Sequence, residues 1–276
     1  GDVPLAEYFR FVEASRDSTD YLVVHEIANQ LASVRGNRIP PLGAVIVDTP
    51  GFRREGLGFF RAQLERLGTA SLAGEVDTDG ILRERVLLGL LPYDDALARR
   101  LAGHFADYDR LDPNLREPVA FAFGRLGGAE AQAELLARIG SARSEGDQLK
   151  LERGLAASTD PTVLRRSLDV LVTPKVNRAH VASVVGQMAL NPAGRDPAWE
   201  WLTSRLAEIA PTYQGTSIIG EILERAFPFA ALERDEATAR APFEARPIPE
   251  GERGLRKGLE WLRAFRRVRA RERPAA

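Results

Sequence analysis

Apolar residues recur along most of the chain at the spacing of one face of an α-helix. Leu5, Tyr8, Phe9 and Val12 form the first stripe, and Val24, Ile27, Ala28 and Leu31 form the second at i, i+3, i+4, i+7. Leu57, Phe60, Leu64 and Leu67 make a third. The same period predicts helices over 81–91, 96–105, 115–126, 129–139, 149–156, 163–172, 181–190, 199–209, 218–227 and 255–268. Alternating patterns are almost absent. Only residues 44–48, between Pro40-Pro41 and Pro50-Gly51, read as extended, as part of a long connection.

The punctuation agrees with helices. Asp112-Pro113, Asp160-Pro161 and Asp196-Pro197 each read as an aspartate N-cap followed by proline at the first helical position. The carboxylate accepts a free helix N–H there, and proline has none to lose. Gly68, Gly127-Gly128 and Gly140 stand where left-handed helix ends favour a residue without a side chain. About a dozen short helices with short turns predict an all-α fold. Hairpins of roughly 35–45 residues favour an α-solenoid of HEAT/armadillo-like repeats, a curved or bowl-shaped superhelix. No low-complexity linker divides the chain, so residues 1–276 are expected to form a single helical-repeat domain.

Composition narrows the chemistry. The 276 residues are 44% hydrophobic, ample for a core, and the net charge of −1 gives no overall field for nucleic acid. No apolar run reaches the length of a membrane span. Cysteine is absent, which removes disulfides, thiol nucleophiles and cysteine-based zinc sites and suits a reducing, cytoplasmic setting. The start at Gly1-Asp2 without methionine reads as a cut end, so a fragment of something longer is expected.

The stretch VVHEIANQL approaches a helical zinc-peptidase signature, in which histidines at i and i+4 hold the metal and a glutamate is general base. His25 and Glu26 are in place, but Asn29 stands where the second histidine belongs, and Asp48 falls in a connection. The register gives another reading, with Val24, Ile27, Ala28 and Leu31 inward and His25, Glu26 and Asn29 on the flanks. His104 and His180 also lack a second histidine at ligand spacing. No phosphate loop and no Gly-x-Ser-x-Gly elbow occurs. The one basic concentration, residues 253–273, reads as an amphipathic closing helix with Leu255, Leu259, Leu262, Phe265 and Val268 inward.

MALNPAGRDPAWEWLTSRL (188–206) resembles the Asn-x-x-Gly…Ala-Trp segment in the C-terminal helical domain of zinc aminopeptidases of the aminopeptidase N type, a group that includes the puromycin-sensitive and endoplasmic-reticulum aminopeptidases. Asn191, Gly194, Ala198, Trp199 and Leu202 fall on the pattern, with Trp201 in a position usually held by phenylalanine. LREPVAFAFGRLGG, LKLERGLAASTDPTVLRRSLDVLV and the closing GLRKGLEWLRAFRRVRAR are similar to further family segments in the same order, with Glu260 on a family glutamate. Asn177 and His180 stand where the family often has an arginine and an acid. Ala157 and Leu190 fall where some members use basic residues to hold a peptide C-terminus.

The resemblance implies the lid of a peptide chamber in a zinc-dependent aminopeptidase that removes N-terminal residues from peptides. Zinc is expected in a catalytic domain absent from this chain, which has neither His-Glu-x-x-His nor Gly-x-Met-Glu-Asn; the first helices of the family domain are also expected to be missing. The chain itself is expected to hold no cofactor and no catalytic residue. Its expected partners are the catalytic domain of the same polypeptide and the peptide, with no nucleic acid and no membrane. Arg178, His180 and Tyr213, polar groups near turns, are the candidate peptide contacts, and Asn191, Gly194, Trp199 and Glu260 are candidate structural residues. A free-standing protein-interaction scaffold and a nucleic-acid-binding repeat using 253–273 are the alternatives.

Overall fold

The computed structural model describes residues 3–32 and 40–272, the side chain of residue 272 excepted. Gly1, Asp2 and Arg273 lie outside the described residues. Among those described, every regular element is helical and none is a strand. The contacts divide the chain into two compact units, Gly1–Phe123 with Arg267–Ala276, and Gly124–Arg266.

The first unit contains α1 (Leu5–Ala14), α2 (Tyr21–Leu31), the single turn α3 (Gly43–Ile46), α4 (Leu57–Leu67), α5 (Asp77–Leu90) and α6 (Asp95–Ala102), with most of α7 (Pro113–Leu126). The stripes of α1 and α2 face inward as their period predicts: Leu5, Phe9 and Val12 are buried, as are Val24, Ile27, Ala28 and Leu31. Asp20 begins α2 by accepting from the amides of Leu22 and Val23 at 2.9 and 3.1 Å. A π-helical turn, Phe52–Gly56, leads into α4, and α5 packs on both α4 and α2.

Residues 44–48 are not extended. Gly43–Ile46 form a helical turn with Ala44, Val45 and Ile46 buried. A four- or five-residue apolar run carries no period that separates a buried helical turn from a strand. Position 43 needs glycine on steric grounds: a Cβ would fall 1.7 Å from the Leu31 carbonyl oxygen at the end of α2.

A buried arginine fastens the connection between α4 and α5. Arg83, 1% exposed, donates from Nε and Nη2 to the Leu67 carbonyl at 3.1 and 2.9 Å. It also reaches both carboxylate oxygens of Glu75, with Nη1 2.8 Å from Oε1. Glu75 in turn accepts from the Leu72 amide at 3.0 Å. This guanidinium holds the Glu75 carboxyl down to about 2.

The second unit contains α8 (Gly128–Ile139), α9 (Glu145–Leu155), α10 (Pro161–Leu171), α11 (Val181–Leu190), α12 (Arg195–Ser204), α13 (Leu206–Ile209), α14 (Ile218–Ala230), α15 (Glu236–Ala245) and the greater part of α16 (Glu252–Glu272). Its centre is α11, whose VASVVGQMAL sequence is apolar nearly all round. Only Ser183 of its residues escapes full burial, because α14, α12, α10 and α9 all pack on it. On α16, Leu262 and Phe265 are buried while Leu255 and Leu259 are half-covered.

Two N-caps form as expected. Asp112 accepts from the Asn114 amide at 2.8 Å and Asp160 from that of Thr162 at 2.7 Å. Asp196 does not cap: Gly194 precedes α12, and Asp196 lies in the first turn, paired with Arg234 at 2.8 Å. Gly68 and Gly128 take positive φ, 69° and 57°, but Gly140 stays right-handed at −64°. The 199–209 segment breaks at Arg205 into α12 and α13. Helix α15 goes beyond the stripe reading; Asp235 starts it by accepting from the Thr238 amide at 2.8 Å, and Pro242 is accommodated inside it.

Candidate functional site

The richest polar constellation in the second unit is built from the first two turns of α9 and the 177–180 turn that leads into α11. Ser144 caps α9, its hydroxyl accepting from the Asp147 amide at 3.1 Å. Glu145 and Glu152 then fall seven residues apart, two turns along one face. Glu145 stands at the surface and Glu152 is fully buried. Asn177 caps the facing turn, accepting from the Ala179 amide at 3.0 Å. Its own amide nitrogen donates to Glu152 Oε1 at 3.3 Å, and its Nδ2 donates to Glu145 Oε1 at 3.0 Å.

His180 completes the arrangement. Its Nδ1 lies 2.7 Å from Glu152 Oε2 and its Nε2 lies 3.3 Å from Glu145 Oε1. His180 is 7% exposed, so its contact with the buried Glu152 is shielded from water, whereas Glu145 closes the other side of the ring from the surface. Burial pushes the Glu152 carboxyl up, and the His180 ring, the Asn177 amide and Gln148 partly oppose that shift.

Two residues before His180, Arg178 is exposed and takes a different partner. Its Nη2 donates to the Thr212 carbonyl, and its guanidinium carbon sits 4.8 Å from the centre of the Tyr213 ring. Tyr213 is 3% exposed, and burial pushes its hydroxyl up, with Arg178 opposing. Arg178, His180 and Tyr213 therefore meet in one region. Arg178 is the exposed member, Tyr213 is the platform beneath it, and His180 ties the turn to α9.

The four motif residues have separate surroundings. Asn191 stands at the other end of α11 from His180, about 15 Å away along the helix at ~1.5 Å per residue. Its Nδ2 donates to the carbonyls of Ala156 and Ser158 at 3.0 and 2.7 Å, and its Oδ1 accepts from the Ala193 amide at 3.1 Å. It thereby joins the turn before α12 to the turn before α10. Gly194 fits because a Cβ there would lie 2.2 Å from the Met188 carbonyl oxygen. Trp199 packs near Phe227 and Phe243 and carries the Arg234 guanidinium 4.6 Å from its ring centre. Glu260 lies exposed on α16, beside a shallow cleft of about 270 Å³ floored by Phe243, Leu255 and Leu259. Ala157 and Leu190 are 3% and 0% exposed.

In the first unit, VVHEIANQL is α2. The Asn29 Nδ2 lies 3.1 Å from His25 Nδ1, and the ring stacks on Tyr21 at 5.3 Å. Partial burial, then Arg85, lowers the His25 imidazole against the pull of Glu26, which favours the neutral ring able to accept that amide. Asn29 departs from the flank position expected of it. It is 5% exposed because α2 is covered by both α5 and α3. Asp48 faces Arg53 at 3.6 Å. The donor set does not fit zinc: an amide stands in for the second imidazole and already engages the first. Among the described residues no three His, Cys, Asp or Glu side chains are placed to hold a metal ion, and no helix is long and apolar enough to cross a membrane.

The residues missed from sequence are Glu145 and Glu152, while Asn177 stands out there only as a departure from the family pattern. One signal was available: Glu152 sits beside Leu151 and Leu155 on the apolar side of α9, where an acid needs a partner. The partner comes from 28 residues away.

Comparison with known proteins bears on the whole chain. A family model described as the ERAP1-like C-terminal domain matches residues 1–264. A probable aminopeptidase 2 of Sulfurisphaera tokodaii is 31% identical over 175 residues, 63% of this chain and 22% of that protein. A leucyl aminopeptidase of Saccharolobus solfataricus is 22% identical, covering 98% of this chain and 32% of its own length. A Tricorn protease-interacting factor F2 of Thermoplasma volcanium is 27% identical, covering 97% and 32%. The chain thus spans a third or less of the relatives it matches.

Proposed function

The chain belongs to the family of ERAP1-like C-terminal domains, and from that premise we propose that it is the helical lid of a zinc-dependent aminopeptidase polypeptide. In this reading it forms one α-solenoid domain of HEAT/armadillo-like hairpins. It docks on the catalytic domain of the same polypeptide and limits which peptides reach the zinc held there. The chain supplies no catalytic group. The cytoplasmic setting expected from its cysteine-free composition belongs to the same reading.

The observation that carries the proposal is the match over residues 1–264 together with relatives named aminopeptidases, of which this chain corresponds to about a third. The site supplies the finer part. Arg178 presents a guanidinium fixed by the Thr212 carbonyl and the Tyr213 ring, suited to a carboxylate or carbonyl in the distal part of a peptide. Such a contact lies beyond the reach of a one-residue substrate.

The test uses the chain joined to its catalytic domain. Arg178→Ala is expected to raise KM for a peptide of about ten residues by roughly fivefold, corresponding to about 1 kcal/mol. Hydrolysis of an aminoacyl p-nitroanilide should stay within about twofold. Equal losses on both substrates, or no loss on either, would overturn the assignment of Arg178.

A further inference from the structure

His180 has a carboxylate oxygen against each ring nitrogen, Glu152 at 2.7 Å and Glu145 at 3.3 Å. A neutral imidazole carries one N–H and one lone pair. It can satisfy one of these contacts, but the other then sets a lone pair against a carboxylate. The arrangement closes only with an additional proton, either on the second ring nitrogen or on one of the carboxyls. Because a proton on any one of the three groups serves both contacts, it belongs to the set rather than to any one residue.

We propose that His180, Glu145 and Glu152 jointly bind one proton, and that this proton fastens the 177–180 turn, and with it the Arg178 guanidinium, to α9. The consequence for peptide contact rests on the reading of Arg178 given above; the shared proton does not.

Charged side chains stand on the elements packed around the three groups. On α9, Arg153 reaches Ser183 Oγ at 3.3 Å. Arg178, on the same turn as His180, lies over Tyr213. Helix α11 carries no ionisable side chain. On α14, which packs on α11, Glu221 pairs with Arg225 at 3.1 Å and Glu224 with Lys257 at 3.0 Å. Burial of Glu152 acts in the direction of retaining the proton. The folded form then binds more protons than the unfolded form, so the fastening weakens as pH rises. Without the proton, the turn keeps one imidazole N–H contact and the Asn177 bonds to the two carboxylates.

The test uses the 276-residue chain with ring-15N histidine. Long-range proton–nitrogen spectra follow both nitrogens of His180 from about pH 5 to about pH 9, a span around the ordinary histidine range, with assignment by loss of the signal in His180→Gln. Two ring N–H groups, or one facing a protonated carboxyl, are expected on the acid side. Glu145→Gln is expected to lower the proton affinity about tenfold, a shift of about one pH unit, and Glu152→Gln at least as much. Glu145 is at the surface, so its variant keeps the fold. The Arg178 Nε–H signal should broaden above the wild-type midpoint, and at lower pH in Glu145→Gln.

A His180 midpoint unchanged in Glu145→Gln would overturn the shared proton, as would an Arg178 signal indifferent to pH overturn the fastening. Neither result touches the peptide assay. Conversely, a peptide KM unaffected by Arg178→Ala would sink the peptide reading while the spectra still decide the proton.

Discussion

Arg83 in the first unit and Glu152 in the second are both withdrawn almost wholly from water, and the two are partnered in opposite ways. Arg83 meets a carboxylate and a backbone carbonyl, and its own charge is permanent. The result is a lock that holds Glu75 ionised down to about 2. Glu152 meets an imidazole, which can gain or lose a proton, and burial raises its carboxyl instead of lowering it. The same problem, a charge withdrawn from water, is solved once by a guanidinium and once by an imidazole. The first secures a connection between helices; the second stands beside the exposed Arg178.

This contrast can be broken at several points. The largest effect is expected from Arg83→Met, which leaves the Leu67 carbonyl and Glu75 without their partner and should cost about 3–5 kcal/mol in denaturant unfolding. Glu152→Ala should cost less, about 1–3 kcal/mol, because it leaves the His180 ring and the Asn177 amide short of one acceptor each. A loss from Glu152→Ala exceeding that from Arg83→Met would reverse the ranking.

The pH profiles sharpen the same contrast, because the signs differ. The Glu75 carboxyl is depressed on folding, so its stabilisation is present above its unfolded range and disappears as pH falls toward about 2. Melting temperature should therefore fall less steeply with acid in Glu75→Gln than in the wild type. The Glu152 carboxyl is raised, so its contribution is fullest below its unfolded range and lost as pH rises. The wild type should lose stability on that alkaline side faster than Glu152→Gln does. The smallest effect belongs to an exposed pair used as a control. Arg165 meets Glu200 at 2.7 and 2.9 Å on the surface, and Arg165→Ala should leave the denaturant midpoint nearly unchanged.

The helices were legible wherever one apolar stripe met one core, as in α1, α10 and α14. The apolar run at 44–48 was misread because a buried helical turn and a short strand have the same composition. Helix α15 is hidden because Phe243 is its one large apolar residue and because of Pro242, although the Asp235 cap is there to be seen. Asp196 shows the converse: a capping dipeptide lies inside the first turn, two residues past the cap, because Asn191 and Gly194 already set the start of α12. Arg178, His180 and Tyr213 could be selected as polar groups near turns. That Arg178 lies on Tyr213, and that two carboxylates enclose His180, depends on pairings 28 to 35 residues apart that no local period encodes.

Photo-crosslinking measures the peptide contact most directly. With the chain joined to its catalytic domain, a peptide of about ten residues would carry benzoylphenylalanine at its C-terminal position and a blocked amine at the other end. If Arg178 receives the distal part of the peptide, mass mapping should place the adduct within residues 177–180 or 211–214, and Arg178→Ala should reduce its yield. Adducts confined to the catalytic domain or to residues 3–123, with a yield indifferent to Arg178→Ala, would contradict the lid's part in holding the peptide.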